Sequence, residues 1–427
     1  MNPKKQMYDT FVEILKEELV PAFGCTEPIS IAYCAAKARD ILGVLPNKVK
    51  IEASGNVIKN VKSVIVPNTD GLRGIPAAAA AGIVAGDSEK KLEVISEVSI
   101  DKRKQVKEYL ENTPFDVIPF LDGDKLEIRI TVYTDDAYAV VHISRTHCNI
   151  VKIAKNDDII YEEQIKTQNE QVHKADRSLL SVKNIIDFAE NVDLSLVKDV
   201  LQRQIDYNYK IACEGLKNDW GANIGSVLVK TYGDDVKVMS KALAAAGSDA
   251  RMGGCELPVV INSGSGNQGI TVSVPVIVYA KHLESSQEKL YRALIISNLI
   301  AVHIKNGIGP LSAFCGAVSA GCAAGCGIAY LHGGVEKEID HTLVNSLVTV
   351  SGIFCDGAKA SCAAKIASSV EAGILGHIMY ENGQQFYAED GIVSNGVENT
   401  IKNVCHIGAN AMNQTDEEII RIMTQCD

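Results

Sequence analysis

The chain is 427 residues long and carries 42 Lys and Arg against 53 Asp and Glu, a net charge of −11. That balance argues against a nucleic-acid partner, which needs a basic face, and 46% hydrophobic residues are too many for a disordered chain. Aromatic residues make up only 5% while glycine reaches 34, so the core must close by near approach of small residues. At roughly 150 residues per domain the length suggests two or three domains.

The N-terminus, Met1-Asn2-Pro3-Lys4-Lys5, runs into an amphipathic pattern without an apolar h-region, which gives no secretory signal and predicts a cytoplasmic protein. Phe11, Ile14, Leu15 and Leu19 recur at helical spacing until Pro21 and Gly24 break the pattern. A second helix follows, with Thr26 or Glu27 as N-cap, Pro28 in the first turn, an apolar stripe of Ile31, Cys34, Ala35, Ala38, Ile41 and Leu42, and Gly43 as its terminator. From Lys48 to Tyr161 the period falls to two. Leu126, Ile128, Ile130 and Val132 alternate with Glu127, Arg129, Thr131 and Tyr133 as a half-buried strand. Tyr138 to Ser144 and Asn149 to Ala154 read as further strands, the latter turning at Asn156-Asp157-Asp158 into Ile159-Ile160-Tyr161. Helical patterns interrupt them at Pro76 to Ala85 and Asp101 to Asn112. The polar stretch from Glu162 to Ala175 marks a domain boundary, and beyond it the pattern is helical. Leu194, Val197, Leu201 and Ile205 mark one helix, and Leu290, Leu294, Asn298 and Ala301 another.

The expected class is α+β in three parts. An N-terminal helical segment, 1–45, carries the Gly-Cys-Thr-Glu-Pro motif; a small α+β domain follows at 46–165, and a mainly helical Gly/Ala/Cys-rich domain at 166–427. Leu311 to Gly334 has no charged residue and is long enough to cross a bilayer, but Gly, Ser, Cys and Ala outnumber its strong apolar residues. A buried central helix is the better reading, and no membrane partner is expected.

Twelve cysteines in a reducing compartment point to metal or thiol chemistry rather than disulfides. Cys25, in Gly24-Cys25-Thr26-Glu27-Pro28, stands at a helix N-terminus, where free N–H groups and the dipole favour a thiolate. It reads equally as a base, a nucleophile, a ligand or a small hydrophobe in a turn. Cys315, Cys322, Cys326, Cys355 and Cys362 fall within 48 residues. Three thiolates from this group suit an iron-sulfur cluster, and a missing fourth protein ligand leaves one iron free as a Lewis acid. Zinc competes, although there is no Cys-x-x-Cys pair. Cys315, Cys322 and Cys326 share one helical face, so spacing does not choose between them. The loop Asn262-Ser263-Gly264-Ser265-Gly266-Asn267-Gln268-Gly269 can present N–H groups to a carboxylate or phosphate, or can simply connect. Arg145-Thr146-His147-Cys148-Asn149, at a strand junction, offers a similar anion-binding set.

Taken in order, Gly24-Cys25-Thr26-Glu27-Pro28, Arg145-Thr146-His147-x-Asn149-Ile150, the 262–269 loop and Cys355-Asp356-Gly357-Ala358-Lys359 resemble the L-cysteine desulfidase family, related to the iron-sulfur L-serine dehydratases. The likeness covers essentially the whole chain. It implies a pyridoxal-independent lyase of amino-acid catabolism with an oxygen-sensitive 4Fe-4S cluster held by three cysteines, Cys315, Cys355 and Cys362, and with one open iron. Cys322 is the alternative first ligand, and the gap from Cys355 to Cys362 is shorter than in the dehydratases. By the same likeness Cys25 is the base that takes the Cα proton. Thr26, Ser263, Gly264, Ser265, Gly266 and Asn267 are candidates for the substrate carboxylate. The substrate implied is L-cysteine or L-serine, released as pyruvate and ammonia with sulfide or water. Cys426 stands where some serine dehydratases place a C-terminal cysteine on the free iron. Small-residue helices and family habit are compatible with a homodimer. A non-catalytic iron-sulfur sensor is the competing reading, and it requires four cysteine ligands and no dependence on Cys25.

Overall fold

The computed structural model describes residues 3–120, 123–163 and 175–425. The boundary expected in 162–175 falls largely outside these residues, as does Cys426. The N-terminal part opens with α1 (Pro3–Glu18), β1 (Pro21–Phe23) and α2 (Thr26–Leu42), followed by β2 (Lys48–Ser54), α3 (Gly55–Val61), α4 (Gly74–Ala85) and α5 (Ile100–Asn112). Strands β3 (Phe115–Phe120), β4 (Glu127–Tyr133), β5 (Tyr138–Ser144), β6 (Ile150–Lys155) and β7 (Asp158–Glu162) complete it. The second part holds α6 (Val182–Asn191), α7 (Lys198–Lys217), α8 (Ile224–Tyr232), α9 (Val236–Met252), β8 (Pro258–Val260), α10 (Gly266–His282) and α11 (Gln287–Ile308). It ends with α12 (Gly316–Leu331), α13 (Glu336–Val350), α14 (Ser361–Glu381), α15 (Val397–His406) and α16 (Asn413–Gln425). The class is α+β, as the periodicity predicts.

Strands β2 to β7 form one mixed sheet in the order β3-β2-β4-β5-β6-β7, in which β2 and β3 are parallel and every other pair is antiparallel. Leu126, Ile128, Ile130 and Val132 are all buried, as their alternation predicts. The polar face of β4 is less open than expected: Glu127 is buried and its Oε1 lies 2.8 Å from His142 Nε2. Strand β3 escapes the sequence reading because Pro119 interrupts it, and proline is tolerated here on an edge strand. Helix α2 covers β4 and β5 and is itself crossed by α4. At that crossing a Cβ on Gly82 would stand 2.1 Å from the Ala32 carbonyl oxygen, so only glycine fits.

The N-terminal segment is tied to the helical part. Phe11 and Tyr8 of α1 each pack edge-on against Phe188 of α6, and β1 pairs antiparallel with β8, Pro21 opposite Val260. In the helical part α12 is the central rod, buried along almost its whole length and packed by α10, α11, α13 and α14. Its pairing with α14 is a backbone contact: a Cβ on Gly373 would lie 2.3 Å from the Gly321 carbonyl oxygen. Among the described residues no helix is long and apolar enough to cross a membrane.

Candidate active site

Several helices begin around one cavity of about 110 Å³. Cys25 is the N-cap of α2, Ser265 of α10 and Cys315 of α12, while Cys362 lies in the first turn of α14. None of these three N-cap side chains caps its own helix. Their first-turn N–H groups and dipoles therefore remain to favour negative charge at the wall. The sequence reading differs here in two details: the cap of α2 is Cys25, with Thr26 the first helical residue, and Cys315 stands outside α12 rather than on its face. Extended backbone at Cys315 follows from a short bridge in which its N–H donates to Ile353 O at 3.1 Å and the Cys355 N–H donates to Ala313 O at 2.6 Å. Asn262 and Ser265 pair across a tight turn with Ser263 and Gly264 at positive φ, which lays this loop against the His147 ring.

The cavity brings together Cys25, Ser263, Gly264, Ser265, Asn267, Cys315, Cys355 and Cys362, residues drawn from four separate stretches of sequence. Thr26 and Gly266 are not on its wall: the Thr26 hydroxyl donates to Glu27 Oε2 at 2.9 Å, one layer behind. Cys322 and Cys326 are buried along α12 beyond it, with Cys326 Sγ 3.8 Å from Ile339 O. Two of the loop N–H groups expected to hold a carboxylate are already engaged, that of Ser263 by Glu18 Oε2 at 2.9 Å and that of Ser265 by Asn262 O at 3.0 Å.

The thiols differ in charge state. The Cys315 thiol donates to Cys355, which brings Cys355 down to about 6 against its burial, helped by the cations of Lys59 and Lys365. The same contact, with burial, pushes Cys315 well up. Cys362 Sγ accepts from the Lys359 N–H and donates to Gly357 O, both at 3.5 Å. Lys59 is itself buried, paired with Asp416 at 2.6 Å. Three sulfur donors converging beside two lysines fit a soft, anionic metal-sulfur group better than a hard cation.

Cys25 is the opposite case. The expectation of a thiolate at a helix N-terminus is corrected here: burial, and then the Glu27 carboxylate, push this thiol far up. Its Sγ donates to Glu27 Oε2 at 3.4 Å. Burial alone would raise Glu27, but His147 and the Thr26 hydroxyl outweigh it and hold the carboxyl at about 2. Glu27 Oε1 accepts from Asn60 Nδ2 at 2.8 Å and faces His147 Nε2 at 3.8 Å.

Several lining groups escaped the sequence reading. Arg251 donates through Nε to Gly24 O and through Nη1 to Asn267 Oδ1, both at 3.1 Å, leaving Nη2 buried without a hydrogen-bond partner among the described residues. His147 Nε2, Gln268 Oε1, Asn56 Oδ1 and Asn60 Oδ1 are likewise buried at the cavity without a hydrogen-bond partner among the described residues. Unsatisfied polar atoms are costly in a closed interior and are usual where a polar ligand completes them. Lys305, brought down to about 8 by burial against the pull of Cys355 and Cys315, lines this cavity and a neighbouring one of about 490 Å³. The two share His147, Ser263, Gly264 and Pro310 as well, so the two spaces adjoin. The one sequence signal for Lys305 is a lone cation on an otherwise apolar helix face.

A family model described as the serine dehydratase alpha chain matches residues 89–421. The chain is 57% identical to a UPF0597 protein of Desulfitobacterium hafniense (strain Y51), over 100% of this chain and 99% of that one. It is 46% identical to a UPF0597 protein of Treponema denticola, over 99% of each chain. A UPF0597 protein of Fusobacterium nucleatum is 42% identical over 97% of this chain and 98% of its own.

Proposed function

The chain belongs to the serine dehydratase alpha-chain family of iron-sulfur lyases, and from that premise we propose that it is an L-cysteine desulfidase, eliminating sulfide from L-cysteine. The observation that carries the reading is the meeting, in one cavity of about 110 Å³, of the Cys25-Glu27 pair with Cys315, Cys355 and Cys362. That space is far below the several hundred Å³ of a drug-sized site, which limits any substrate to a small one.

In this reading Cys315, Cys355 and Cys362 hold a 4Fe-4S cluster, whose open iron supplies a Lewis acid for the β-substituent. Arg251 Nη2, the one nitrogen of this guanidinium without a hydrogen-bond partner among the described residues, anchors the substrate carboxylate, with the 263–267 loop beside it. Asn56 Oδ1, Asn60 Oδ1 and Gln268 Oε1 are acceptors for the ammonium group. Cys25 stands as a thiol and must lose its proton before its sulfur takes one from Cα; Glu27, held at about 2, accepts the thiol's hydrogen bond and positions it rather than taking that proton. Elimination gives sulfide and aminoacrylate, and the imine tautomer of aminoacrylate hydrolyses to pyruvate and ammonia.

The family description favours a second substrate, L-serine, with water as the leaving group on the same carbon. The test is anaerobic: reconstitute with iron and sulfide, then assay L-cysteine for pyruvate and sulfide beside L-serine for pyruvate. Faster turnover of L-cysteine supports the desulfidase, and faster turnover of L-serine reassigns the substrate. A stable cluster with no turnover of either overturns the lyase reading in favour of a sensor.

A further inference from the structure

Helices α12 and α14 both start at the cavity, and their far ends also meet. At ~1.5 Å per residue they run about 24 and 31 Å. His332 is the C-cap of α12, while His377 and Glu381, four residues apart on one face, lie at the end of α14. Each of the three offers one donor atom, and these atoms all lie within 4.8 Å of one another. The centre of the group is His377, only 2% exposed, whose two ring nitrogens have no hydrogen-bond partner among the described residues. Its Nε2 is 3.5 Å from Glu381 Oε1, and its Nδ1 is 3.2 Å from Glu338 Oε1 on α13. The 3.5 Å separation is long for a hydrogen bond. It matches the roughly 3.4 Å expected between two donors that each stand about 2.1 Å from one tetrahedral ion.

We propose that His332, His377 and Glu381 form a binding site for a divalent transition-metal ion, zinc by its donor set, with solvent in the fourth position. Glu338, whose Oε1 lies 3.2 Å from Nδ1, is placed to orient the buried ligand once the ion turns the ring, leaving Nε2 for the ion. His332 and Glu381 are exposed, so the ion enters from solvent and is closed in by the buried imidazole. The bound ion clamps the ends of α12 and α14, the two helices whose other ends present Cys315 and Cys362. This site is independent of the lyase reading.

The experiment uses the full chain, stripped with a chelator and titrated with zinc chloride by calorimetry, with metal content measured after dialysis. The thiols also take zinc, so the comparison is with His332→Ala and Glu381→Gln, exposed substitutions that leave every cysteine in place. Each is expected to lose one zinc equivalent per chain, its residual binding weakened at least 100-fold, and to lose the zinc-dependent rise in Tm that this site produces. Glu338→Gln is expected to weaken the site about 10-fold. Cobalt at the site should give a visible spectrum without the intense near-ultraviolet sulfur charge-transfer band that thiol-bound cobalt shows. Unchanged stoichiometry and affinity in both His332→Ala and Glu381→Gln would overturn the proposal, as would sulfur charge transfer from every cobalt bound.

Discussion

Cys25 and Cys355 line the same small cavity, yet one is held far above the usual thiol range and the other is brought to about 6. Both are held by burial against ionisation, so the dielectric does not separate them. Their neighbours do. Cys25 donates to a buried carboxylate, whereas Cys355 accepts from the Cys315 thiol and lies near the cations of Lys59 and Lys365. A helix N-terminus, the feature that draws the eye to Cys25 in the sequence, is worth roughly 1 kcal/mol and loses to burial together with a carboxylate 3.4 Å away. Within one cavity the same residue type is therefore held in two charge states, which in the proposed reading serve as a sulfur ready to bind metal and a sulfur that holds a proton until chemistry demands it.

The largest expected effect separates these two roles. Cys355→Ser should lose both the visible absorbance of the reconstituted cluster and all turnover. Cys25→Ser should keep the absorbance and lower kcat about 10²- to 10⁴-fold, the usual worth of a positioned acid-base group. Iron and sulfide analysis beside pyruvate assays decides it; loss of the cluster in Cys25→Ser, or turnover surviving in Cys355→Ser, collapses the distinction.

A smaller effect tests the electrostatic cause. Lys59 and Asp416 are buried together, joining α3 to α16, and the Lys59 Nζ also lies 3.5 Å from the Cys355 carbonyl oxygen. Lys59→Met strands the Asp416 charge and should cost about 3–5 kcal/mol in urea unfolding, much of it recovered in the Lys59→Met, Asp416→Leu double variant. A cost below about 1 kcal/mol for the single change would show that the pair is not buried in solution.

The difference between the two halves of the fold explains what the sequence made legible. In β4 and β5 the period of two matches a sheet with one face on α2, so Ile128, Ile130 and Val132 declare themselves. The small-residue run of α12 likewise announces a buried rod. The thiols at the cavity come from chain ends of helices, where Cys315 owes its position to a bridge with the 353–355 segment that no periodicity encodes. Arg251, Lys305 and Asn56 are legible only in three dimensions, because a single polar residue on a helix reads as solvated until the neighbouring segments close over it. The near approach predicted from glycine content is real, at Gly82 and at Gly373.

The finest test of the comparison is the pH at which each thiol reacts, measured by pulsed alkylation of the cluster-free protein with peptide mass spectrometry. A lowered pKa means that thiolate is the main form above the midpoint and that the proton returns below it. Cys355 should thus label at a constant rate above about pH 6 and fall tenfold per unit below it. Cys25, raised by burial and Glu27, should stay unlabelled through pH 9. Exposed Cys213 reports the reagent's own pH dependence in the same sample. Removing one cation should move one midpoint only: Lys365→Met raises that of Cys355 and leaves Cys25 silent, because Lys365 acts on Cys355 through its charge while Cys25 answers to Glu27. Glu27→Gln should act in the other direction, lowering the pH at which Cys25 begins to label, since a neutral amide no longer opposes the thiolate. Equal midpoints for Cys25 and Cys355, or a shift of both with either substitution, would mean that a shared dielectric sets them and that the neighbouring charges do not.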